Sequence, residues 1–269
     1  MGDSRSSAGI SVVLATLNEA RNLEACLTSV QWADEIIVVD DGSTDGTPEI
    51  AKRFTDKVAV RPSGGQFHAN QNLAIQMATY EWILSLDADE VVPADLATEI
   101  RRVIESTPYA AFRVGRRNHF LGRWIRHGGW YPDRVIRLFR KGATQWPMEL
   151  HSEPPAPSPG TVGDLNVELL HYSYRSFDQY FEKFNRFTSM LAREAYERGD
   201  ATGLREAVIN LVVRPAAWFL YKYVGRGGFR DGLHGFFIAL SSALVIQTTY
   251  CKLWELRARS SPGGRPNRQ

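Results

Sequence analysis

EIIVVDDGSTDGT, residues 35–47, joins a short β-branched apolar run to an acidic, glycine-containing turn. Such a run, bounded by turn residues, reads as a strand buried on both faces. Working outward, the same arrangement recurs at WILSLDADE, residues 82–90, where another apolar run ends in carboxylates. Upstream, Ile10–Leu14 reads as a strand, and Asn18 caps a helix to about Ser29 that carries Leu23, Cys26, Leu27 and Val30 on one face. Between the two acidic strands lie a short helix from Pro48 to Phe54, a strand at 58–60 and a helix over 70–78. A helix over 95–105 and a strand near 111–114 follow. Strands alternating with helices predict an α/β fold with a doubly wound, mostly parallel sheet. Sheets of this kind take ligands beyond the carboxyl ends of their strands, where both acidic clusters fall.

Each cluster suggests a chemistry. Two adjacent carboxylates, Asp40 and Asp41, repel one another at a strand end, which a simple turn does not explain. Asp41 is placed to accept hydrogen bonds from a nucleobase N–H or a ribose hydroxyl, while Asp45, Gly46 and Thr47 suit turn and cap roles. Asp87 and Asp89, separated by one small residue, offer a pair of hard oxygen ligands to Mg²⁺ or Mn²⁺, with substrate phosphates completing the shell.

The remainder divides by texture. Residues 118–170 are less regular, rich in Gly, Pro, Trp and His, and 177–197 is amphipathic and helical. Two apolar stretches follow, 207–224 and 232–251, the second with no Asp, Glu, Lys or Arg. A Gly/Pro/Arg-rich tail from 260 to 269 is expected to be disordered. Residues 203–269 carry ten Lys/Arg against three Asp/Glu, whereas the whole 269-residue chain has a net charge of only +2. A basic end on an acidic body points to an anionic membrane face or phosphorylated glycan. No recognition motif accompanies the charge, so nucleic acid is not expected as a partner. Two cysteines, Cys26 and Cys251, far apart and outside any CxxC spacing, exclude a disulfide scaffold and suit a reducing compartment. Residues 1–9 lack the apolar run of a signal peptide.

VVLATLNEARNLEACLTSV (12–30), EIIVVDDGSTDGT and WILSLDADE resemble the nucleotide-binding half of glycosyltransferase family 2, with the GT-A fold. RRNHFLGRWIRHGGWYPDRVIRLFRKG (116–142), LLHYSY (169–174), GFRDGLHGF (228–236) and YCKLWEL (250–256) resemble one branch of it, similar to lipopolysaccharide-core β-glucosyltransferases. The resemblance covers about residues 9–256. It implies a GT-A domain over 9–175, with a nucleotide-binding half (9–117) and an acceptor half (118–175), and a helical extension over 176–259. It implies a UDP-sugar donor, a divalent metal and an inverting transfer to a glycolipid or lipopolysaccharide-core acceptor. By position, Thr16 and Glu19 would contact the nucleotide, Asp41 the uridine, and Asp87 the ribose or diphosphate. Asp89 would bind the metal. Asn72 matches an Asn that precedes the metal strand, although Gln71 stands where many relatives carry a basic residue.

Inversion by single displacement needs one general base at the acceptor hydroxyl. Glu153 ranks first, Asp133 second and Glu149 third. Relatives in this branch often have His followed directly by Glu, whereas here Ser152 follows His151 and Glu153 is displaced by one. Each carboxylate has a plainer reading as an ion pair with one of the arginines among 116–140. Trp124, Trp130, Tyr131 and Trp146 either stack on sugar faces or pack in the core. His119, His127, His151 and His171 lack zinc spacing and read as structural or substrate-contacting.

For the apolar C-terminus two readings stay open. The helices either lie in a membrane interface or pack as a hairpin, including one formed across a homo-oligomer. The expected location is cytoplasmic, peripheral on the inner face of the cytoplasmic membrane. Two other functions compete: a sugar nucleotidyltransferase, whose Gly-rich loop after the first strand is absent at 15–20, and an inactive membrane-surface scaffold.

Overall fold

The computed structural model describes residues 8–147, 154–158 and 161–260. Glu149, His151 and Glu153, and the tail from 261 onward, lie outside the described residues. The elements run β1 (Ile10–Thr16), α1 (Ala20–Ser29), β2 (Glu35–Asp40), α2 (Thr47–Ala51), β3 (Val58–Val60), α3 (Phe67–Met77), β4 (Trp82–Asp87), β5 (Glu90–Val91) and α4 (Ala94–Glu105). Then come β6 (Ala111–Phe120), β7 (Arg123–Trp124), β8 (Arg134–Arg140), β9 (Val162–Asp164), β10 (Leu169–Tyr174) and α5 (Phe177–Glu197). A continuous helical stretch follows: α6 (Leu204–Val208), a π turn (Ile209–Val213), α7 (Arg214–Leu220) and a second π turn (Tyr221–Gly225). A 3₁₀ turn (Gly228–Asp231) leads into α8 (Gly232–Ser260).

The chain forms two compact units. One comprises Met1–Arg117 with Pro132–Tyr172, the other Asn118–Tyr131 with Ser173–Gln269. The expected boundary at 175/176 thus falls at 172/173, and residues 118–131, assigned from sequence to the acceptor half, group with the C-terminal helices.

In the first unit β3, β2, β1 and β4 are parallel neighbours in that order. Strict alternation along these strands fills two cores. Ile10, Val12, Leu14, Ile36, Val38, Trp82, Leu84 and Leu86 face α1 and α4 through Leu23, Leu27, Leu96 and Ile100. Val13, Ile37, Val39 and Ile83 take the opposite face with Ala74 and Ile75 of α3. A strand covered on both faces is apolar at nearly every position, with hydrogen-bonded Ser11 and Ser85 as exceptions, which is why these runs stand out in the sequence. Beyond β4 the sheet turns antiparallel: β8 pairs with β4 and β6 pairs with β8. One boundary expectation changes. Asn18 does not cap α1; it has φ 55°, and its side-chain oxygen accepts from Thr44 N at 2.9 Å. Glu19 takes the N-cap place instead.

One charge in the parallel half is held firmly. Burial opposes ionisation of Glu35, but Lys57, Ser11 and Thr79 all bond its carboxylate and bring its pKa down to about 2. These bonds tie the start of β2 to β1 and to the loop before β4.

In the second unit Phe120 and Ile125 pack with Tyr180 of α5 and Ile238 of α8. Farther along, Ala192 and Ala195 of α5 meet Leu253 of α8. Asp231, buried at the end of the 3₁₀ turn, accepts from the backbone N–H of His127 at 2.8 Å and of Arg126 at 3.2 Å.

Candidate active site

The parallel register assembles the acidic residues. Thr16 lies opposite Asp40, and Ala15 lies opposite both Val39 and Asp87, so the ends of β1, β2 and β4 share one edge. Asp40 is fully buried and organises the turn after β2. It accepts from Gly42 N at 2.9 Å, Ser43 N at 2.7 Å, the Ser43 hydroxyl and Thr16 Oγ1 at 3.2 Å. Gly42 has φ 83°, and a Cβ there would lie 3.2 Å from Pro62, so the turn demands glycine. With Asp40 turned inward, Asp41 is left at the rim. Its two oxygens accept from Ser63, one from the backbone N–H and one from the hydroxyl at 2.9 Å. A carboxylate has about four lone-pair sites, so accepting capacity remains for a nucleoside.

Thr16 is buried and spends its hydroxyl on Asp40. Glu19 N donates to Thr47 Oγ1 at 2.9 Å, and its carboxylate accepts from Asn22 at 2.6 Å. Asp45 accepts from Ala20 N at 3.0 Å and from Thr47, the local role its position suggested. Asn72 is not turned toward this edge chemistry. Its amide donates to the Trp146 carbonyl at 2.8 Å and accepts from Trp146 N at 2.9 Å, which pins the 146 loop to α3. Its neighbour Gln71 makes the link instead: Nε2 donates to Asp87 Oδ1 at 3.3 Å, and Oε1 accepts from Ser85 at 2.9 Å.

The end of β4 is a relay of alternating charge. Arg137 of β8, only 2% exposed, donates through Nη2 to Asp87 Oδ2 and to Glu90 Oε1, the latter at 2.7 Å. Glu90 is completely buried; its other oxygen accepts from Asp87 N at 3.0 Å. Arg116 reaches Glu90 at 3.6 Å and clasps Asp133 at 2.9 Å. Burial disfavours the Arg137 charge, yet Asp87 and Glu90 more than offset this and raise its pKa above the usual arginine value. The negative field is felt beneath the strand. Burial, then Glu90, Asp89 and Asp87, push the Cys26 thiol well up.

Asp87, expected as a second metal ligand, therefore has one oxygen on Gln71 and the other on Arg137. Asp89 is placed differently: Oδ1 lies 3.5 Å from His171 Nε2 of β10. Burial works against the His171 charge, but the bond to Asp89 and the charges of Asp89 and Glu90 raise its pKa above the ordinary histidine value. Asp133, the second-ranked base, is engaged by Arg116, matching its plainer reading as an ion pair. Trp146 is buried, with Nε1 donating to Ser85 at 3.3 Å. Trp130 meets Phe120 edge-on in the second unit, where Trp124 and Tyr131 also pair.

Among the described residues, no group of three or more His, Cys, Asp or Glu side chains is arranged to hold a metal unaided. The Asp89 carboxylate, with the oxygens of a diphosphate to complete the shell, is nonetheless suited to Mg²⁺ or Mn²⁺, and the His171 imidazole stands beside it. Sequence reasoning missed His171, Glu90, Arg116 and Arg137 as members of this cluster. Only Arg137 left a signal, a charge in the middle of the apolar run RVIRLF (134–139).

These features define an α/β protein with an acidic ligand edge at parallel strand ends. The chain belongs to glycosyl transferase family 2, whose model matches residues 11–156. It is similar, 27% identical over 96% of this chain and 95% of the relative, to the lipopolysaccharide core biosynthesis glycosyltransferase LpsC of Rhizobium meliloti. It is also 28% identical, over 93% of this chain and 88% of the relative, to an uncharacterized glycosyltransferase of Rickettsia typhi. Among solved structures, TarS residues 1–349 of S. aureus aligns with a TM-score of 0.48 and 14% identity, covering 97% of this chain and 93% of that one.

Proposed function

We propose that this glycosyltransferase transfers a hexose from a UDP-sugar, with inversion, to a lipopolysaccharide-core or related glycolipid acceptor, using Mg²⁺ or Mn²⁺. The observation that carries the donor half is the shared edge of β1, β2 and β4, with Asp41 at its rim and Asp89 beside His171. Similarity to LpsC along nearly the whole of both chains supports the acceptor class. Asp41, oriented by Ser63, accepts from the nucleoside. Asp89 and His171 would hold the metal, Gln71 and Arg137 fix the Asp87 carboxylate next to it, and Glu90 accepts from the Asp87 backbone N–H. When bound, the metal neutralises charge on the departing diphosphate. The relay from Asp87 to Asp133 keeps three carboxylates and two guanidiniums oriented before any substrate arrives.

Asp41→Ala is expected to weaken UDP binding by roughly tenfold to a hundredfold, the worth of one hydrogen bond to a charged acceptor. Calorimetry giving the wild-type affinity would remove Asp41 from the nucleoside site.

For the base we retain Glu153 first, then Asp133, then Glu149. Glu153→Gln should slow sugar transfer by about 10²-fold or more while leaving donor affinity near wild type, because a base acts on the acceptor hydroxyl. If Glu153→Gln transfers normally and Asp133→Asn does not, Asp133 takes the role.

The function as a whole is tested by incubating the chain with a panel of nucleotide sugars, with and without Mn²⁺. Metal-dependent release of nucleoside diphosphate supports it. Release of pyrophosphate would indicate nucleotidyl transfer, and no turnover of any donor would indicate a scaffold.

A further inference from the structure

The helical stretch 204–225 exposes a stripe of apolar side chains at a spacing of four: Leu204, Val208, Val212, Ala216, Leu220 and Val224. All but Ala216 are between 51% and 84% exposed. An α-helix of 3.6 residues per turn would rotate such a stripe steadily around its axis. Here the two π turns, Ile209–Val213 and Tyr221–Gly225, take more residues per turn and so counter that rotation. The irregularity is supported from within the unit. Pro215 has no N–H for the Leu211 carbonyl four residues earlier, and Gln247 of α8 donates to it at 2.7 Å. Trp218 and Tyr221 are 42% and 48% exposed, and Leu233 at the start of α8 is 79% exposed.

The charge around this face has one sign. Residues 204–230 carry Arg205, Arg214, Lys222, Arg226 and Arg230 against Glu206 alone. Apolar side chains, interfacial aromatics and cations together match the headgroup region of an anionic bilayer. A second copy of the chain would set these cations against one another.

The 228–260 segment is long and apolar enough to cross a membrane by length and composition. The second unit, however, uses it for packing. Lys252 donates to Asn185, Thr188 and Ser189 of α5 at 2.7–2.8 Å, and Tyr250 donates to the Gly203 carbonyl at 3.2 Å. Buried Ile238, Ala239, Ala243 and Leu253 lie along the same helix. A helix so tied to its neighbours is not surrounded by lipid.

We infer that the 204–224 stripe is a monotopic membrane-docking face that lies in the surface of an anionic bilayer. It deepens the glycolipid-acceptor reading and rests on that reading for its purpose, since an acceptor anchored in the bilayer would meet an enzyme held at its surface.

The test is flotation of the full chain with phosphatidylglycerol–phosphatidylcholine vesicles and with pure phosphatidylcholine vesicles. The wild-type chain should float with the anionic vesicles, and high salt should release only part of it, because salt screens the cations and not the apolar contact. Val212→Asp/Leu220→Asp/Val224→Asp should lower the bound fraction at least roughly tenfold, since the apolar contact is removed. Arg205→Glu/Arg214→Glu/Arg230→Glu should abolish the preference for anionic vesicles. All six positions are exposed, and circular dichroism and thermal melting are the controls for folding of each variant. Failure of the wild-type chain to float overturns the inference, as does equal flotation of the folded apolar variant. So does a wild-type dimer that this variant converts to monomer without any lipid binding. Release of nucleoside diphosphate from a soluble donor, followed in parallel, should be unchanged in both variants. A chain that floats but turns over no donor would refute the transferase reading and leave the docking face standing.

Discussion

Asp89→Asn is expected to remove metal-dependent sugar transfer, by at least about 10²–10³-fold, while the protein stays folded. The expectation rests on position. Asp87 is held by Gln71 and Arg137, whereas Asp89 lies against His171 at the end of the same strand. The asparagine keeps the size of the side chain and one oxygen, so packing is preserved, but it loses the negative charge on which a hard cation depends. The measurement is turnover across a Mn²⁺ titration, with thermal melting as the control for folding. Wild-type activity at equal metal would assign the metal elsewhere. Recovery at high Mn²⁺ would show that the loss is one of metal affinity, as the account requires.

The second large effect falls on stability. Arg137→Met leaves Glu90 completely buried with its closest cation gone and Arg116, at 3.6 Å, a weaker substitute. Removing one partner of a buried ion pair costs about 3–5 kcal/mol. For a chain of this size that lowers the melting temperature by on the order of 10 °C. Adding Glu90→Gln to Arg137→Met removes the uncompensated charge and should restore much of the loss. Denaturant unfolding of the two variants checks this. A single variant within about 1 kcal/mol of wild type would mean that Arg137 does not anchor the β4 end.

What the sequence made legible follows from burial. The parallel strands are covered on both faces, so EIIVV and WILSL appear as largely apolar runs, and the carboxylates at their ends mark the ligand edge. Helix α5 was equally clear, since its apolar face repeats at helical spacing from 177 to 197. The antiparallel half was not clear. Strand β8, RVIRLFR, carries three arginines, and a charged residue within a strand ordinarily suggests a solvated face. Arg137 is buried only because Asp87 and Glu90, some fifty residues away in sequence, converge on it. His171 escaped for the same reason: nothing in LLHYSY reveals that β10 runs beside β5 and sets its imidazole against Asp89. Asn72 was chosen by motif position, but its amide is satisfied by the backbone of Trp146. That 118–131 groups with the C-terminal helices was not legible, because a chain excursion between β6 and β8 carries no mark of the unit it will join.

The central claim is that Asp41 and Asp89 lie on one edge that binds a nucleoside diphosphate together with a divalent cation. The most direct measurement is a Mn²⁺ electron paramagnetic resonance titration of the full chain in the presence of UDP. The account predicts that the free-ion signal is depleted by the wild-type protein with UDP, restored by Asp89→Asn, and restored in part by Asp41→Ala through weaker UDP binding. Equal depletion by wild type and Asp89→Asn, or none by the wild-type protein at saturating UDP, would contradict it.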